Sequence, residues 1–481
     1  MYNKPNASRR EFLRAASVMS MVGSAAAPFA LNLATIGAAA AQTAPVDYKA
    51  IVCLFMSGGN DQSNMVLATD PGSWSEYARI RTTSDAASIA LPAPGLLGGV
   101  LPITPRTAQA GRSFALHPSM QALKDIFDAG RVAVVANVGP LIMPTTLEQY
   151  RAGSVKLPPK LFSHNDQQSH WQSSRPEGAK SGWGGRMGDL LVSANSKPIF
   201  TAISVSGNAV FLSGQSINQY QVSSAGAVPI AALSGSLYGA AANANPLQSI
   251  ISGDRANLFE KGHAAVVKRA IEAQTVLATG MLPAGPGGVP NPAQYLNPNT
   301  GKPANNTLAV QLQTVARIIA GRSALGAKRQ IFFVNISGFD THDNQRVNQG
   351  DLLARVSHAM AYFDGMMANL QGADLRNQVT LFTASDFGRT FTSNGDGTDH
   401  GWGSHHFVMG GAVKGQDIYG SFPVTSLKHD HDVGSGSLLP QFSVDQYGAT
   451  LASWFGLSAT QIADVFPGIA NFTARNLGFM A

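Results

Sequence analysis

Acidic and histidine side chains follow the ends of several apolar segments in this 481-residue chain. Asp61 comes shortly after the first such segment, Asp340 and His342 follow another, and Asp386 follows a third. Ligands of open α/β sheets bind in the crevice beyond the carboxyl ends of the strands, so these side chains are expected at one edge. Carboxylate oxygens and imidazole nitrogens together suit zinc or manganese better than calcium. The spacing therefore predicts a metal or anion site.

A later loop adds imidazoles to this set. Asp399-His400 is followed by the pair His405-His406 in a Gly-rich stretch. Two divalent ions a few ångströms apart could hold both oxygens of an in-line phosphoryl displacement. A single Asp in a Gly-rich turn is more often a turn or cap residue, so the prediction depends on the combination.

A parallel sheet is needed to bring these side chains to one edge, and the sequence predicts the alternation of strands and helices that such a sheet requires. Continuous apolar runs predict buried strands, and apolar residues at three- and four-residue steps predict helices. Strands are expected at 48–56, 131–138, 330–337, 378–384 and 407–409, and helices at 118–129, 254–279, 307–324, 352–370 and 445–455, the last amphipathic. The sequence thus predicts one α/β domain over residues 42–481, with a mostly parallel central sheet flanked by helices, loop-rich insertions, and an insertion or cap around 197–306.

Composition excludes several classes of protein. With 44% hydrophobic and 13% charged residues the chain is not intrinsically disordered. A single cysteine, Cys53, excludes a disulfide scaffold and any multi-cysteine metal site. Part of the formal net charge of +6 lies in the first 41 residues, and no basic, aromatic-interleaved stripe follows, so nucleic acid is not an expected partner.

The amino-terminal segment resembles a twin-arginine signal peptide. Arg9-Arg10 precedes a weakly apolar, Ala- and Ser-rich stretch that ends in Ala39-Ala40-Ala41, a small-x-small cleavage site with Gln42 as the expected mature start. The alternative is an uncut membrane anchor, for which the Gly, Ser and Pro content is unfavourable. The resemblance implies export by the Tat translocase to the periplasm or the medium, with no stable membrane span in the mature chain.

Five short motifs resemble those of the domain of unknown function 1501 family. They are Ser57-Gly58-Gly59-Asn60-Asp61, Phe162-Ser163-His164, Gly338-Phe339-Asp340-Thr341-His342, Ser385-Asp386-Phe387-Gly388-Arg389-Thr390 and Asp399-His400-Gly401-Trp402-Gly403. That family consists of Tat-exported bacterial proteins placed in the alkaline phosphatase and sulfatase superfamily. The resemblance covers essentially the whole mature chain and implies an alkaline phosphatase-like sandwich.

The resemblance also implies roles for individual residues. Asp340, His342 and His400 would hold one divalent metal, and Asp61 and Asp386 would hold a second together with the nucleophile. Ser163 would be that nucleophile at the start of a helix, with Ser169 as the alternative, although Ser163 to Asp166 is equally an ordinary helix cap. Arg389 could hold an anionic substrate or pair with a carboxylate such as Asp396.

Two departures bear on this assignment. Phosphatases of the superfamily usually carry a histidine directly after the late aspartate, where this chain has Phe387, so His405 or His406 would have to substitute. Sulfatases need a Cys or Ser followed by x-Pro-x-Arg, and the chain has no such motif. Hydrolysis of phosphate or related esters, on a small anionic ester or a polymer, is therefore favoured over sulfatase activity.

Two other functions remain open on the sequence alone. The chain could keep the fold as a non-catalytic periplasmic binding or assembly protein, with Phe387 marking a lost metal. It could also be an accessory protein of carbohydrate or polymer processing, since Trp171, Trp183 and Trp402 lie in the predicted site loops, where aromatic rings could stack on a sugar.

Overall fold

The apolar segments predicted as strands form one central sheet in the computed structural model of the chain. The structure describes residues 47–83, 88–230, 233 and 246–481. The predicted signal peptide, with its twin arginines and cleavage site, lies outside the described residues, as does part of the predicted insertion. Among the residues described, no helix is long and apolar enough to cross a membrane.

The strands fall within one residue of the sequence prediction at the long buried runs, and shorter strands lie between them. The described strands are β1 (Lys49–Ser57), β2 (Val66–Ala68), β3 (Leu101–Ile103), β4 (Phe114–Leu116), β5 (Val132–Gly139), β6 (Ala202–Ser204), β7 (Tyr220–Gln221), β8 (Tyr295–Leu296), β9 (Pro303–Ala304), β10 (Arg329–Ser337), β11 (Val379–Ser385), β12 (Ser404–Met409), β13 (Asp417–Tyr419) and β14 (Phe442–Ser443).

The central sheet has the order β13-β5-β12-β11-β1-β10-β6-β7, and β14 also pairs with β5. Its strand pairs are parallel except at β12, which runs antiparallel to both β11 and β5. This confirms the predicted mostly parallel sheet. Smaller antiparallel sheets, β2-β4-β3 and β8-β9, lie beside it.

Helices cover both faces of the sheet. They are α1 (Gln62–Met65), α2 (Pro71–Arg81), α3 (Gln121–Asp128), α4 (Leu147–Ala152), α5 (His164–Ser173), α6 (Trp183–Leu191), α7 (Leu247–Ser252), α8 (Leu258–Gly280), α9 (Thr307–Ala320), α10 (Gln345–Ala368), α11 (Val444–Phe455) and α12 (Ala459–Val465). Alternate residues of β1 enter two separate cores, one shared with α3, α9 and α10, the other with α6 and α11. A strand buried on both faces must be apolar throughout, which is why the run at 50–56 is unbroken.

Two sequence expectations need adjustment. The helix predicted as amphipathic, α11, has all of its residues buried except Ser453, because it lies between the sheet and the carboxyl-terminal segment that includes α12. The predicted insertion around 197–306 is continuous with the main sheet at its start, since β6 pairs with β10 through Ile331↔Ala202 to Phe333↔Ser204.

Candidate metal centre

Three parallel strands end at the same level of the sheet and carry the loops of the candidate centre. In the register of β1 with its neighbours, Ser57 lies opposite Ser337, and Met56 lies opposite Ser385. The loop that follows β10 contains Asp340, and Asp386 follows β11 directly. The carboxyl edge predicted from the sequence is therefore the edge at which these side chains meet.

His164, Asp340 and His400 form a group that could hold a metal ion. One ligand atom from each lies within 4.8 Å of the others. An Asp340 oxygen is 3.4 Å from Nε2 of His164, and the other is 3.3 Å from Nε2 of His400. The side chains are 44% exposed for Asp340, 34% for His164 and 25% for His400, so the group is open to solvent on one side.

The Nε2 atoms of both histidines face Asp340 because the Nδ1 atoms have acceptors behind them. Nδ1 of His164 donates to Asp386 Oδ2 at 2.8 Å, and Nδ1 of His400 donates to the carbonyl oxygen of Phe162 at 2.8 Å. In each neutral ring the lone pair is then on Nε2, which faces Asp340. Metal-binding histidines are oriented in this way by carboxylates and backbone carbonyls.

The backbone that supplies one of these acceptors is in an unusual conformation. Phe162 has φ of 70°, which a bulky residue rarely adopts. Such strain persists only where the surrounding structure holds it, and it concentrates at functional sites. Here the carbonyl of Phe162 accepts the hydrogen bond of His400, and α5 begins two residues later with His164.

His342 is a third imidazole at this place. Its Nε2 is 3.1 Å from Asp340 Oδ1 and 3.0 Å from Nε2 of His400, while its Nδ1 is 3.4 Å from Asp399 Oδ1. If both rings are neutral and donate through Nδ1, two lone pairs face each other across 3.0 Å. Such a contact repels unless a proton or a cation lies between the two nitrogens.

Arg389 fixes the Asp340 carboxylate. Its side chain is fully buried, and Nη1 donates to Asp340 Oδ1 at 2.9 Å and to the carbonyl oxygen of Gly58 at 3.1 Å. The remaining nitrogens donate to Thr398. Burial would raise the pKa of Asp340, but the hydrogen bond and charge of Arg389, with His164 and His342, lower it overall. The group therefore presents an ionised carboxylate, and Arg389 is engaged by protein atoms.

Two glycines after β1 allow this close packing. A Cβ at Gly58 would lie 2.4 Å from the backbone nitrogen of Asp340, and one at Gly59 would lie 2.2 Å from the ring of Phe387. Both have positive φ, of 115° and 82°. The Phe387 ring in turn contacts the rings of His164 and His400, with centroids 4.8 and 4.6 Å away. Phe387, expected from the resemblance to mark a lost ligand, therefore supports two imidazoles.

The donor set fits a divalent transition metal. Tetrahedral zinc with ligands at about 2.0–2.1 Å places neighbouring ligand atoms about 3.4 Å apart. Nε2 of His164 and Nε2 of His400 lie 3.4 and 3.3 Å from the two different oxygens of Asp340. Three protein ligands with an open side are typical of catalytic rather than structural sites. Oδ1 of Asp386 is buried and has no hydrogen-bond partner among the described residues, which is consistent with a cation nearby.

Comparison with known proteins supports the family resemblance over part of the chain. Residues 255–463 match the family model described as "Protein of unknown function (DUF1501)". The match includes Asp340, His342, Asp386 and His400, and it ends before the carboxyl terminus. No curated protein matches this chain.

One solved structure aligns with most of the chain. It comes from work on metabolism of multiple glycosaminoglycans by Bacteroides thetaiotaomicron, and it aligns with 90% of this chain and 77% of its own at 11% sequence identity, with a TM-score of 0.35. A likeness at that level is too distant to assign an activity or a substrate.

Asp61, expected to hold a second metal, is placed apart from the group. Its side chain is completely buried and both oxygens accept from Arg81, at 2.5 and 3.0 Å. It also accepts from Gln345 Nε2 at 2.6 Å and from the backbone of Ser63. With these four hydrogen bonds and a paired charge, Asp61 anchors α2 and caps α1. The predicted pair of Asp61 and Asp386 is not brought together around one point, since Asp386 bonds to His164.

His405 and His406 lie in the core. Nδ1 of His405 accepts from the backbone of Asn137, and the ring packs on Phe422. His406 packs edge-on against Trp171. Burial lowers the pKa of each histidine to about 3, with His405 adding to the effect on His406. Neither ring belongs to the His164, Asp340 and His400 group.

The two candidate nucleophiles lie on the helix that starts with His164. Ser163 is the residue before α5, and its hydroxyl donates to Asp166 Oδ2 at 3.0 Å. Ser169 lies further along α5 and donates to the carbonyl oxygen of Pro176. Ser163 therefore lies next to the candidate centre, at the N-cap position of α5 but without a side-chain hydrogen bond that caps the helix.

His164 was not expected among the ligands from the sequence. The sequence did carry an indication of His164, because Ser163 was expected at the start of a helix. His164 is the next residue and lies in the first turn of that helix. What the sequence lacked was the contact with Asp386, which is 222 positions away.

Asp386→Asn tests the carboxylate behind His164. An amide holds the ring less strongly and can present its NH2 group to Nδ1, so the affinity for zinc is expected to fall about 10- to 100-fold. The His164 pKa, which the hydrogen bond and charge of Asp386 raise, should fall as well. Competition with a chelator measures the affinity. The control is Asp364→Asn, because Asp364 pairs with Arg131. Unchanged affinity would show that Asp386 does not orient a ligand.

Proposed function

We propose that this protein is an exported metal-dependent hydrolase of phosphate or related esters, which holds a divalent ion, zinc or manganese, on His164, Asp340 and His400. The observation that supports it best is the convergence of two Nε2 atoms on one ionised carboxylate, with acceptors behind both Nδ1 atoms. His342 is placed to join or to exchange with His400.

Each side chain has a definite part in this proposal. The bound ion would supply Lewis-acid stabilisation of the charge that develops on the ester oxygens. Ser163 attacks phosphorus, its proton passes to Asp166, to which the hydroxyl already donates, and the bond from phosphorus to the ester oxygen breaks. The alkoxide leaves as the alcohol with a proton from solvent, and Asp166 releases its proton to solvent. Water then cleaves the phosphoserine, which releases phosphate and restores the Ser163 hydroxyl. Arg389 keeps Asp340 ionised and in place, while Asp386 orients His164.

The second part of the proposal is export, which depends on the amino-terminal segment. A twin-arginine signal peptide would deliver the folded chain through the Tat translocase to the periplasm or the medium. Export of a folded protein is compatible with a metal loaded beforehand and with a buried Cys53 that needs no disulfide partner.

A second candidate is a non-catalytic binding or assembly protein with the same fold. The specific observation that favours it is the ion pair of Asp61 with Arg81, which occupies the carboxylate expected to hold a second metal.

Metal content and ester hydrolysis of the purified chain decide between the two. We expect one equivalent of zinc or manganese by elemental analysis, and hydrolysis of p-nitrophenyl phosphate that a chelator abolishes. Ser163→Ala should keep the metal and lose more than about a thousandfold in kcat, whereas Ser169→Ala on the same helix should keep both. A folded protein without metal would support the binding protein instead, and loss of activity in Ser169→Ala alone would overturn the choice of Ser163.

A further inference from the structure

A polar face of α5 is turned toward a cleft beside the candidate metal centre. Asn165, Gln168, Ser169 and Gln172 all line this cleft. Their spacing of i, i+3, i+4 and i+7 puts them on one side of the helix. The side chains of Asn165 and Gln168 make no hydrogen bonds to the described residues. Asn165 is exposed and Gln168 is half-buried, so the amides of this face are accessible to a ligand in the cleft.

The opposite wall of the cleft carries the same kinds of side chain, amides and hydroxyls. It includes Ser57 at the end of β1, Asn335 in β10, and Ser206 and Asn208 after β6. Ser57 donates to Asn335 Oδ1 at 2.7 Å, which turns the amide and leaves its NH2 group without a partner among the described residues. Gln172 accepts from the backbone of Phe211, so its NH2 group is also available.

The lining excludes other kinds of ligand. No Lys, Arg or His of the described residues lines the cleft, and Glu177, its one charged residue, is half exposed at the rim. An anion would find no counter-charge there, and an apolar group would find only Ala179, Val210 and Phe333 among the lining residues described. Amides and hydroxyls offer donors and acceptors together, which is what an alcohol group requires.

The cleft adjoins the metal group through α5. His164 lies one helical turn from Gln168, so the helix that gives an imidazole to the group gives an amide to the cleft. With a volume of about 340 Å³ the cleft lies within the usual range of small-molecule sites.

We propose that this cleft binds an uncharged, polyhydroxylated group, a sugar unit of a glycan, and that it selects the substrate whose ester reaches the His164, Asp340 and His400 group. The second part rests on the proposed hydrolase function, whereas sugar binding does not. The site recognises hydroxyl groups by hydrogen bonds and without aromatic stacking. Trp171, Trp183 and Trp402, expected to stack on a sugar, are 2% exposed or less, and the last two donate to backbone carbonyls.

Binding of neutral oligosaccharides to the full chain tests the proposal. The probes are maltotetraose, cellotetraose, mannotetraose and chitotetraose. Titration calorimetry with and without zinc measures their binding. At least one should bind the wild type, and Asn165→Ala and Gln168→Ala should each weaken it about tenfold. Both positions are on a helix surface, where Ala is compatible with folding. Gln121→Ala, an exposed amide on α3 outside the cleft, should bind as the wild type does.

The outcomes separate this site from the metal centre. His400→Ala should lose metal but keep the oligosaccharide, and that result together with loss in Gln168→Ala supports the cleft even if no ester is hydrolysed. Absence of binding to every probe, binding that Asn165→Ala and Gln168→Ala leave unchanged, or binding of a neutral tetrapeptide in place of the sugars would each overturn the proposal.

Discussion

Asp340→Asn is expected to weaken metal binding by more than about 100-fold and to abolish ester hydrolysis. Asp340 is the carboxylate that lies within 3.4 Å of His164, His342 and His400. Removing its charge leaves imidazoles alone to hold a doubly charged ion. The amide oxygen can still accept from Arg389, so the loop after β10 should keep its position. Elemental analysis and chelator competition measure the loss.

The matched control is in the same loop. Asp343 is exposed and its carboxylate makes no hydrogen bond or ion pair with the described residues, so Asp343→Asn should bind metal as the wild type does. Thermal unfolding of Asp340→Asn without metal checks that the fold is intact. Wild-type affinity in Asp340→Asn would remove the proposed centre, because Asp340 is the carboxylate that faces Nε2 of all three rings among the described residues.

A steep loss of stability below pH 6.5 is the second large effect expected. Burial lowers the pKa of His117, His405 and His406 to about 3 and that of His170 to about 4. An unfolded histidine titrates near 6.5, so below that pH the unfolded chain binds more protons than the folded one. Stability is therefore complete above about pH 6.5 and falls as the pH decreases toward about 4.

The size of the effect follows from the number of groups. Each buried histidine contributes about 1.4 kcal/mol for each pH unit, so the four together give about 5 kcal/mol per unit. Since a folded domain is stable by about 5–15 kcal/mol, acid unfolding is expected near pH 5. Urea unfolding at about pH 7.5, 6.5 and 5.5 measures the slope.

Single substitutions show which histidines are responsible. His406→Gln should reduce the slope by about one proton, or 1.4 kcal/mol for each pH unit, since its ring is buried and one nitrogen has no partner among the described residues. His263→Gln on the exposed side of α8 should leave the slope unchanged. A stability that stays constant from pH 7.5 to about 5 would contradict the buried, neutral state of these rings.

The edge of the sheet at which the parallel strands end could be predicted, because it depends on the local pattern of apolar residues in each strand. The unbroken apolar runs before Asp61, Asp340 and Asp386 are required by strands buried on both faces, and parallel strands end at one edge. Asp340 and His400 were expected there as ligands of one metal, and the structure brings them within 3.3 Å. His342 was expected with them and lies 3.1 Å from the same carboxylate.

The roles of the other acidic residues depended on partners far away in the sequence. Asp61 and Asp386 look alike in the sequence, yet Asp61 is bound by Arg81 and Asp386 by His164. Arg389 was expected to hold a substrate or to pair with a carboxylate, and in the structure it contacts Asp340. Each of these pairings joins side chains from different segments of the chain, and no periodic pattern encodes it.

The sequence by itself thus determined the α/β sandwich, the loops at the strand ends and most of the residue types that meet there. Spacing of apolar residues is enough for that, because burial acts on each segment separately. Only the tertiary structure decided which carboxylate stays available, that His164 belongs to the group, and that the amide face of α5 lines a cleft. These depend on side chains from β1, β10, β11 and α5 meeting in space, where charge pairing and hydrogen bonding select among candidates of the same type.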